Sequence, residues 1–462
     1  MNKLTSLAVA VLATSSMLSA ASAVEITPNF GGYVRAGLDH AKHGKFNSWN
    51  KNKVGRLGNE SDIWGEIALG ASFNGAKDTI WGIQTRAAYS NENGVSGDAQ
   101  KLYLDECYGT LKNVFSFSKD ATVWVGKRYY HREQTEIMDY KWYQIEGFGT
   151  GIEYMDLGPG KLSFAWFSNT DNDFSYEKQL NKNGLVHKKD GLWEGALKGD
   201  DAWKGKTVVV TEKYDIEYGL TPWDGAWLNL RGTLLVPEVD DNNYMKLVNQ
   251  PKFSNGNILA VSLDNYYSLG SCKTVVQYIK GPNAATPFGN GSWIDYWSLL
   301  KGNNSNDAHR WQFLNYGDMK IGDFGFAHSL YYTVASGFEG WKTSKESDKA
   351  FSFVVRPYYK LTDISKITAE LGFFTETTKY QNGESENYQG QKATLAYVLS
   401  PDAGNWKSRP ELRFYVTYLH SNDTQALVES PSQDKKVVMN DGTTYAPRDN
   451  QVIVGAQFEA WW

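Results

Sequence analysis

The last twelve residues of the chain, QVIVGAQFEAWW, alternate between apolar and polar side chains. Successive side chains of an extended strand point to opposite faces, so this segment predicts a strand with two chemically different faces. One face carries Val452, Val454, Ala456, Phe458, Ala460 and Trp462, and the other carries Gln451, Gly455, Gln457, Glu459 and Trp461. An amphipathic strand that ends on an aromatic residue is typical of a transmembrane barrel, whose outer face contacts lipid and whose inner face contacts water.

The same alternation recurs along most of the chain. In FGGYVRAGLDH and SDIWGEIALGASF, aliphatic residues share one face, whereas Tyr33, Arg35, Trp64 and Glu66 fall on the other. Further candidate strands lie near residues 80–90, 122–130, 161–168, 227–236, 258–266, 273–280, 324–334, 351–361, 367–377, 392–399 and 411–420. Because an even number of about 16 to 20 strands fits the length, we predict an all-β fold, a transmembrane antiparallel β-barrel.

The first residues predict export. Lys3 gives a positively charged start, residues 4–18 are mostly apolar, and Ala21-Ser22-Ala23 is a cleavage motif. We therefore expect a signal peptide at 1–23 and a single barrel domain at 24–462, in the outer membrane of a Gram-negative bacterium. The apolar stretch is shorter than the roughly 20 residues of a membrane helix, so strands must make any membrane crossing.

Composition narrows the partners of such a barrel. Aromatic residues reach 14% with 17 Trp and 28 Tyr, whereas the formal net charge of −5 argues against nucleic acid as a partner. Catalytic templates and metal-binding spacings are absent from the sequence, so we expect no enzyme, no metal and no cofactor. The two cysteines, Cys107 and Cys272, lie far apart and could be paired or free.

Three segments rich in Asn, Asp, Lys and Gly predict long loops, which are normally extracellular in such barrels. They cover residues 175–206, 281–306 and 421–448.

The predicted lumen face places aromatic rings next to charged groups. Sugars offer apolar C–H faces that stack on rings and hydroxyls that pair with Arg, Asp and Glu. Tyr33, Trp64 and Trp461 point inward by strand parity, which favours this use over a place in the aromatic girdles at the membrane interfaces. These rings therefore predict an oligosaccharide as the partner, with outer-membrane lipid outside the barrel.

Several segments together resemble the maltoporin-type carbohydrate porins across nearly the whole mature chain. The matching segments are GYVRAGL, RLGNE at 56–60, VWVGKR at 123–128, MDY at 138–140, LGPGKLS at 157–163, VVQY at 275–278, SRPELRFYVTY at 408–418 and GAQFEAWW at the end.

The resemblance implies an 18-stranded barrel, a homotrimer, and a third loop that folds inward and narrows each pore. It also implies a line of aromatic rings, the slide, flanked by charged residues that exchange hydrogen bonds with sugar hydroxyls. By resemblance the slide maps to Tyr33, Trp64 and Trp461, with Trp406 one residue from a further slide position. The charged track maps to Arg35, Arg56, Glu66, Arg132 and Asp139.

The sequence also departs from the family pattern. Ser271 replaces a slide ring, the second loop is shortened at 91–100 without its Trp, and Ser61 stands at a disulfide position. Asp105, Glu136, Lys141 and Gln144 replace charged or aromatic residues around the constriction.

These patterns favour an outer-membrane channel for facilitated diffusion of oligosaccharides, with maltose and maltodextrins as the first candidates. A porin for another sugar, such as sucrose or β-glucosides, and a general diffusion porin are the alternatives. A secreted soluble β protein would share the aromatic content but not the need for detergent.

Overall fold

The computed structural model describes residues 25–42, 48–91, 101–177, 204–239, 254–285, 287–292, 294, 303–340, 344–422 and 449–462. The predicted signal peptide at 1–23 lies outside these residues, as do most of the shortened second loop, most of the predicted loops at 175–206 and 421–448, and part of the predicted loop at 281–306. Within the described part of the chain, no helix has the length and apolar character needed to cross a membrane.

Eighteen long strands form one sheet. They are β1 (Ile26–Ala41), β2 (Ile63–Asn74), β3 (Ile80–Asn91), β4 (Lys101–Lys112), β5 (Thr122–Thr135), β6 (Tyr140–Leu157), β7 (Gly160–Glu177), β8 (Lys204–Leu220), β9 (Ala226–Val239), β10 (Gly256–Tyr267), β11 (Gly270–Lys280), β12 (His309–Ile321), β13 (Phe324–Ser336), β14 (Lys345–Lys360), β15 (Ser365–Tyr380), β16 (Ser385–Leu399), β17 (Glu411–Ser421) and β18 (Asn450–Trp461).

The sheet closes on itself. Each strand pairs antiparallel with the next along the chain, and β18 pairs with β1 through a register that aligns Trp461 with Tyr33 and Ile453 with Ala41. The pairing of β18 with β1 closes the sheet, so neither the first nor the last strand is an edge strand, as a barrel in lipid requires. The structure thus confirms the predicted all-β fold and its 18 antiparallel strands.

The two faces of the barrel follow the predicted alternation. Large apolar side chains are exposed on the outer face, for example Leu38 at 78%, whereas their neighbours Arg35 and Glu66 are buried on the inner face. Strand parity places Tyr33, Trp64 and Trp461 on the inner face beside these charged residues.

The alternation in the sequence did not predict four of the strands, β4, β6, β8 and β12. The pairing of β4 with β3 shifts its register next to Arg86 of β3, and the pairing of β6 with β7 shifts at Tyr154. Such bulges break the alternation of side chains. In β12, the inward Leu314 is fully buried and apolar. The predicted loop at 175–206 was too wide, because β7 runs to Glu177 and β8 begins at Lys204.

The connection between β5 and β6 folds into the lumen. Pairing of β5 with β4 ends at Lys127, and pairing of β6 with β7 begins at Gly149. The two strands nevertheless continue to pair with each other as far as Thr135 and Tyr140. Residues 128–148 therefore form a hairpin that leaves the wall, and this constriction hairpin confirms the predicted inward-folded loop.

The first loop also folds inward, against the opposite wall. Its short helix α1 (Lys51–Val54) packs over β14, β15 and β16. Gly372 of β15 allows this approach, because a Cβ atom there would lie 2.1 Å from the carbonyl oxygen of Val54. The loop then meets the constriction hairpin, where the Arg56 amide donates to the Ile137 carbonyl at 3.0 Å.

A third segment follows β11 and covers the constriction hairpin. It begins with a 3-10 helix of one turn, Pro282–Ala284. The Tyr140 hydroxyl donates to the Gly289 carbonyl at 3.3 Å, and the Phe288 ring stacks on Tyr331 at 4.3 Å between centroids. Part of the segment predicted as an extracellular loop thus lies inside the barrel.

Candidate functional site

Three predicted rings lie on three adjacent strands of the inner wall. Tyr33 of β1 is the register partner of Trp461 of β18, and Trp64 of β2 is the partner of Arg35 on β1. The chain folds this way because β1 pairs with β2 on one side and with the last strand on the other. The structure therefore brings Tyr33, Trp64 and Trp461 together in one sector of the wall.

A single carboxylate connects two of these rings. The Tyr33 hydroxyl donates to Glu459 at 2.8 Å, and Arg409 contacts the same carboxylate at 2.8 Å while its guanidinium lies over the Trp461 ring. Arg56 and Arg413 also pair with Glu459. Strand parity places Glu459 on the inner face. It does not predict that Glu459 binds Arg56 and Arg409, because these two residues lie in a loop and a turn.

Trp406, unlike the other three rings, lies in a turn and not on a strand. It lies in the turn between β16 and β17, partly buried against the constriction hairpin. It lines one side of a cavity of about 400 Å³, which also borders Ile137, Tyr266 and Tyr316. The structure therefore places Trp406 at the end of the lumen where β16 joins β17 by a short turn.

Arg35 and Arg56 both pair with the first loop. Arg35 forms two hydrogen bonds to Asp62, at 2.7 and 2.5 Å, and Arg56 contacts Glu60 at 3.0 Å. Burial alone would raise the pKa of Glu60, but Arg56, Arg35 and Lys51 outweigh it and hold that pKa well below its usual range. Arg35 is buried by these contacts and, like Glu66, has little access to the lumen.

Asp139 lies at the tip of the constriction hairpin. Its carboxylate contacts the Lys51 ammonium of α1 at 3.1 Å, so an ion pair joins the hairpin to the first loop. Burial disfavours the charged form, but Arg56 and Lys51 outweigh it and lower the pKa of Asp139. The side chain remains a quarter exposed, at 25%, and can accept a hydrogen bond from the lumen.

Glu66 and Arg132 face each other across the lumen. Arg132 extends from the constriction hairpin to 3.9 Å from Glu66 on β2, and the Trp64 indole donates to the same carboxylate at 2.9 Å. These contacts bring together Trp64, Glu66 and Arg132, three residues that the sequence predicted as part of the site. At 3.9 Å the two charges are close enough to attract but too far apart for a direct hydrogen bond.

Arg86 of β3 belongs to the same cluster, although the sequence analysis did not select it. Its guanidinium contacts Glu66 at 2.7 Å and Glu106 at 2.6 Å, and its side chain is 29% exposed, close to the 28% of Arg132. Strand parity could have identified Arg86 as a lumen residue, because it occupies an inward position of a predicted strand. It was missed because the family pattern expects its arginine at position 105, on the next strand.

The residues that depart from the family pattern are mostly engaged in polar contacts. Ser271 donates to Asp318 at 2.8 Å beside the Trp406 cavity, and Glu136 lies 3.7 Å from Lys407. Gln144 donates to Glu146 at 2.5 Å on the constriction hairpin.

Cys107 and Cys272 are free cysteines. In the part of the chain that the structure covers, no group of three or more His, Cys, Asp or Glu residues could hold a metal ion.

A closed antiparallel barrel with an apolar outer face, a charged lumen and a hairpin folded into that lumen defines an outer-membrane porin. The sequence pattern of the LamB porin family matches residues 29–462, and the chain belongs to that family. The family and the barrel point to a transport channel rather than an enzyme.

Relatives of similar length support this membership. Maltoporin 1 of Klebsiella pneumoniae is 30% identical over 466 residues, covering 99% of this chain and 97% of that protein. Maltoporin 2 of Yersinia pseudotuberculosis is 29% identical over 444 residues, covering 94% of each.

Among solved structures, an anion-selective porin from Comamonas acidovorans aligns with a TM-score of 0.44 and 11% identity, over 94% of this chain and 100% of that one.

Proposed function

We propose that the protein is a sugar-specific outer-membrane channel that passes oligosaccharides of the maltodextrin class by facilitated diffusion. The observation that supports this proposal is the placement of Tyr33, Trp64 and Trp461 on adjacent strands, next to charged groups that remain partly exposed. The names of the relatives, which are maltoporins, agree with the substrate class.

The sugar would move along the rings by repeated weak binding. Each ring and sugar contact is worth about 0.5–1.5 kcal/mol, by analogy with aromatic pairs. Several such contacts can guide a sugar without trapping it, as conduction requires. No energy source is needed, because the concentration gradient drives the net flux.

The charged residues would contact the sugar hydroxyls to different degrees. Arg132, Arg86 and Asp139 keep about a quarter of their side chains exposed, whereas Arg35 and Glu66 are almost covered by their protein partners. We therefore assign direct hydroxyl contacts to the first three residues. Arg35, Arg56 and Glu66 would act by holding the first loop and the ring of Trp64 in place.

The assignment of the rings can be tested with single-channel and multichannel conductance. The purified protein is reconstituted in a planar bilayer, and ion current is titrated with maltotriose to maltohexaose. We expect Trp64→Ala and Trp461→Ala each to raise the half-saturation concentration for sugar block by about 2- to 10-fold, the equivalent of one ring contact. Ion conductance should persist in both variants.

A matched control is Trp311→Ala, because Trp311 is exposed on the outer face of β12 and cannot contact the lumen. This control should keep the wild-type sugar block. Unchanged block in both lumen variants would contradict the slide assignment.

The substrate class is tested by running sucrose and a β-glucoside disaccharide in parallel. Block that tightens with maltodextrin length supports maltodextrins. Tighter block by another sugar keeps the channel class and changes the substrate. The polar pair of Ser271 and Asp318, at a position where the family has a ring, favours comparing these sugars directly. No saturable block by any sugar would identify a general diffusion porin.

We also propose that the protein assembles as a homotrimer. On the outer face of β4 and β5, Cys107 is the register partner of Lys127, and the Lys127 ammonium donates to the Leu104 carbonyl. A lysine that faces lipid near the middle of a barrel costs about 2–4 kcal/mol, so this position is better accommodated against another subunit. An unheated sample should migrate as a trimer in detergent electrophoresis and as a monomer after boiling. Monomeric migration without heating would contradict the trimer.

A further inference from the structure

We propose that Arg409 is a positioning residue that fixes the ring of Trp461 in the orientation needed for sugar stacking. This inference rests on the proposed sugar-channel function. It concerns a residue that would not contact the sugar and would act through the ring it covers.

The first support is the stacking geometry. The guanidinium carbon of Arg409 lies 3.8 Å from the centroid of the Trp461 ring. The Arg409 side chain is only 3% exposed, whereas Trp461 is 37% exposed. The guanidinium therefore lies behind the ring, and one face of Trp461 is covered while its remaining surface stays open to the lumen.

The second support is the way in which Arg409 is itself held. Its Nε donates to Glu459 at 3.0 Å, and its Nη1 donates to the carbonyl oxygens of Trp406 at 3.1 Å and Ser408 at 3.0 Å. Glu411 lies 3.3 Å away. These contacts use the planar, forked shape of the guanidinium, which a lysine ammonium lacks. Arg409 thus connects the backbone of the turn carrying Trp406 to the ring of Trp461.

The third support is the position of Trp461 in the chain. It is the last residue of β18, and its register partner Tyr33 is bound to Glu459, the same carboxylate that holds Arg409. A partly exposed ring that no neighbour holds can rotate about its side-chain torsions. Ordering it at the moment of sugar binding would cost conformational entropy. The stacked guanidinium removes that cost before the sugar arrives.

Arg409 stays charged under transport conditions. Burial lowers its pKa to about 10, with Arg413 acting in the same direction and Glu459 opposing both. Removing Arg409 also leaves Glu459 paired with Arg56 and Arg413, so that carboxylate keeps two cationic partners. The substitution is therefore compatible with a folded barrel.

The test uses full-length protein with Arg409→Gln, Arg409→Lys and Trp461→Ala, together with the double variants that combine each Arg409 substitution with Trp461→Ala. Maltohexaose block and ion conductance are measured for each. We expect both Arg409 substitutions to raise the half-saturation concentration by about 2- to 10-fold, as much as the loss of one ring contact. In the Trp461→Ala background the same substitutions should have no further effect, because the ring through which Arg409 acts is absent.

Arg409→Lys separates orientation from charge. It keeps the positive charge beside Glu459 but cannot stack as a planar fork. Wild-type block in Arg409→Lys, or additive effects with Trp461→Ala, would overturn the positioning role.

The control is again Trp311→Ala, because Trp311 is exposed on the outer face of β12, away from the lumen. This control should keep wild-type sugar block. If Trp461→Ala itself leaves block unchanged, the proposed slide fails. If Trp461→Ala weakens block and both Arg409 variants do not, only the positioning role fails.

Discussion

The two sides of the lumen are built in different ways. On the docked side, formed by β8 to β13, the constriction hairpin buries Trp142, Tyr143, Leu235 and Leu314 completely. The Tyr143 hydroxyl donates to Asp215 at 2.7 Å, and the Trp142 indole donates to the Tyr316 hydroxyl at 3.0 Å. Apolar packing that excludes water, together with hydrogen bonds from the Tyr143 hydroxyl and the Trp142 indole, stabilises this contact.

On the track side, formed by β18 and β1 to β3, Trp64 lies beside ion pairs that remain partly open to the lumen. Tyr33 and Trp461 lie beside the buried ion pairs of Glu459. The exposed fraction of Arg86 and Arg132 shows that water reaches both groups. Partly exposed ion pairs are each worth only about 0–1 kcal/mol, so a sugar hydroxyl can replace one contact at little cost. The barrel thus packs the hairpin tightly on the docked side. On the track side it presents charged groups whose contacts a sugar hydroxyl can replace.

The largest effect is expected from undocking the hairpin. Trp142→Ala removes a fully buried ring and should lower the free energy of unfolding by about 3–5 kcal/mol. The released hairpin should leave a wider pore, with larger ion conductance and loss of sugar block. The thermal midpoint of the heat-modifiable band and single-channel conductance measure these effects.

Trp142→Phe is the matched variant, because it keeps most of the packing and loses only the hydrogen bond to Tyr316. It should retain sugar block with a smaller loss of stability. Wild-type conductance in Trp142→Ala would mean that the hairpin does not depend on the docked side.

A smaller effect is expected on the track side from Arg86→Gln. The change leaves Glu66 and Glu106 without their shared cation, so the lumen gains net negative charge. We expect the ratio of cation to anion permeability to rise and sugar block to weaken by a few fold. Because Glu66 and Glu106 are almost buried, the free energy of unfolding should fall by about 1–3 kcal/mol. Reversal potentials in a salt gradient measure the permeability ratio. A shift toward anions would contradict this account of the cluster.

The smallest effect is expected from pH acting on the contact between Lys51 and Asp139. The pKa of Asp139 is lowered in the folded protein, so the contact is complete above the ordinary Asp value near 4 and is lost only as the pH falls further. The difference in sugar block between the wild type and Asp139→Asn should therefore stay constant from pH 8 to about pH 5. A difference that disappears near neutral pH would show that Asp139 is not held in its charged form.

Much of this fold could be predicted from alternation alone, because lipid outside and water inside impose opposite demands on neighbouring residues. The rule failed where a third environment intervenes. Leu314 faces inward and is apolar, because the constriction hairpin covers it and keeps it dry. The hairpin was expected from the family resemblance and not from alternation, because its pairing contains register shifts between Tyr129 and His131 and between Glu133 and Gln134.

The candidate site was predictable to a similar extent. Strand parity placed Tyr33, Trp64 and Trp461 on the lumen face, because their strands are regular. It could not predict that Arg35 is covered by Asp62, since that partner lies 27 residues away at the end of an inward loop. It also missed Arg409, because a residue in a turn has no strand parity. Contacts made by loops and turns depend on tertiary packing, which a local pattern does not encode.

The pairing of the first and last strands has a consequence for biogenesis. The amide of Gly32 donates to the Trp462 carbonyl at 3.1 Å, and the amide of Trp462 donates back to the Gly32 carbonyl at 3.2 Å. The ring of Trp462 lies outside against Phe30, whereas its neighbour Trp461 lies inside beside Tyr33. The first and the last strand of the sheet must therefore both be synthesised and inserted before Trp461 can meet Tyr33. An unfinished or truncated chain has neither a sealed wall nor a complete row of rings, so a single event late in assembly creates the closed barrel and the sugar path together.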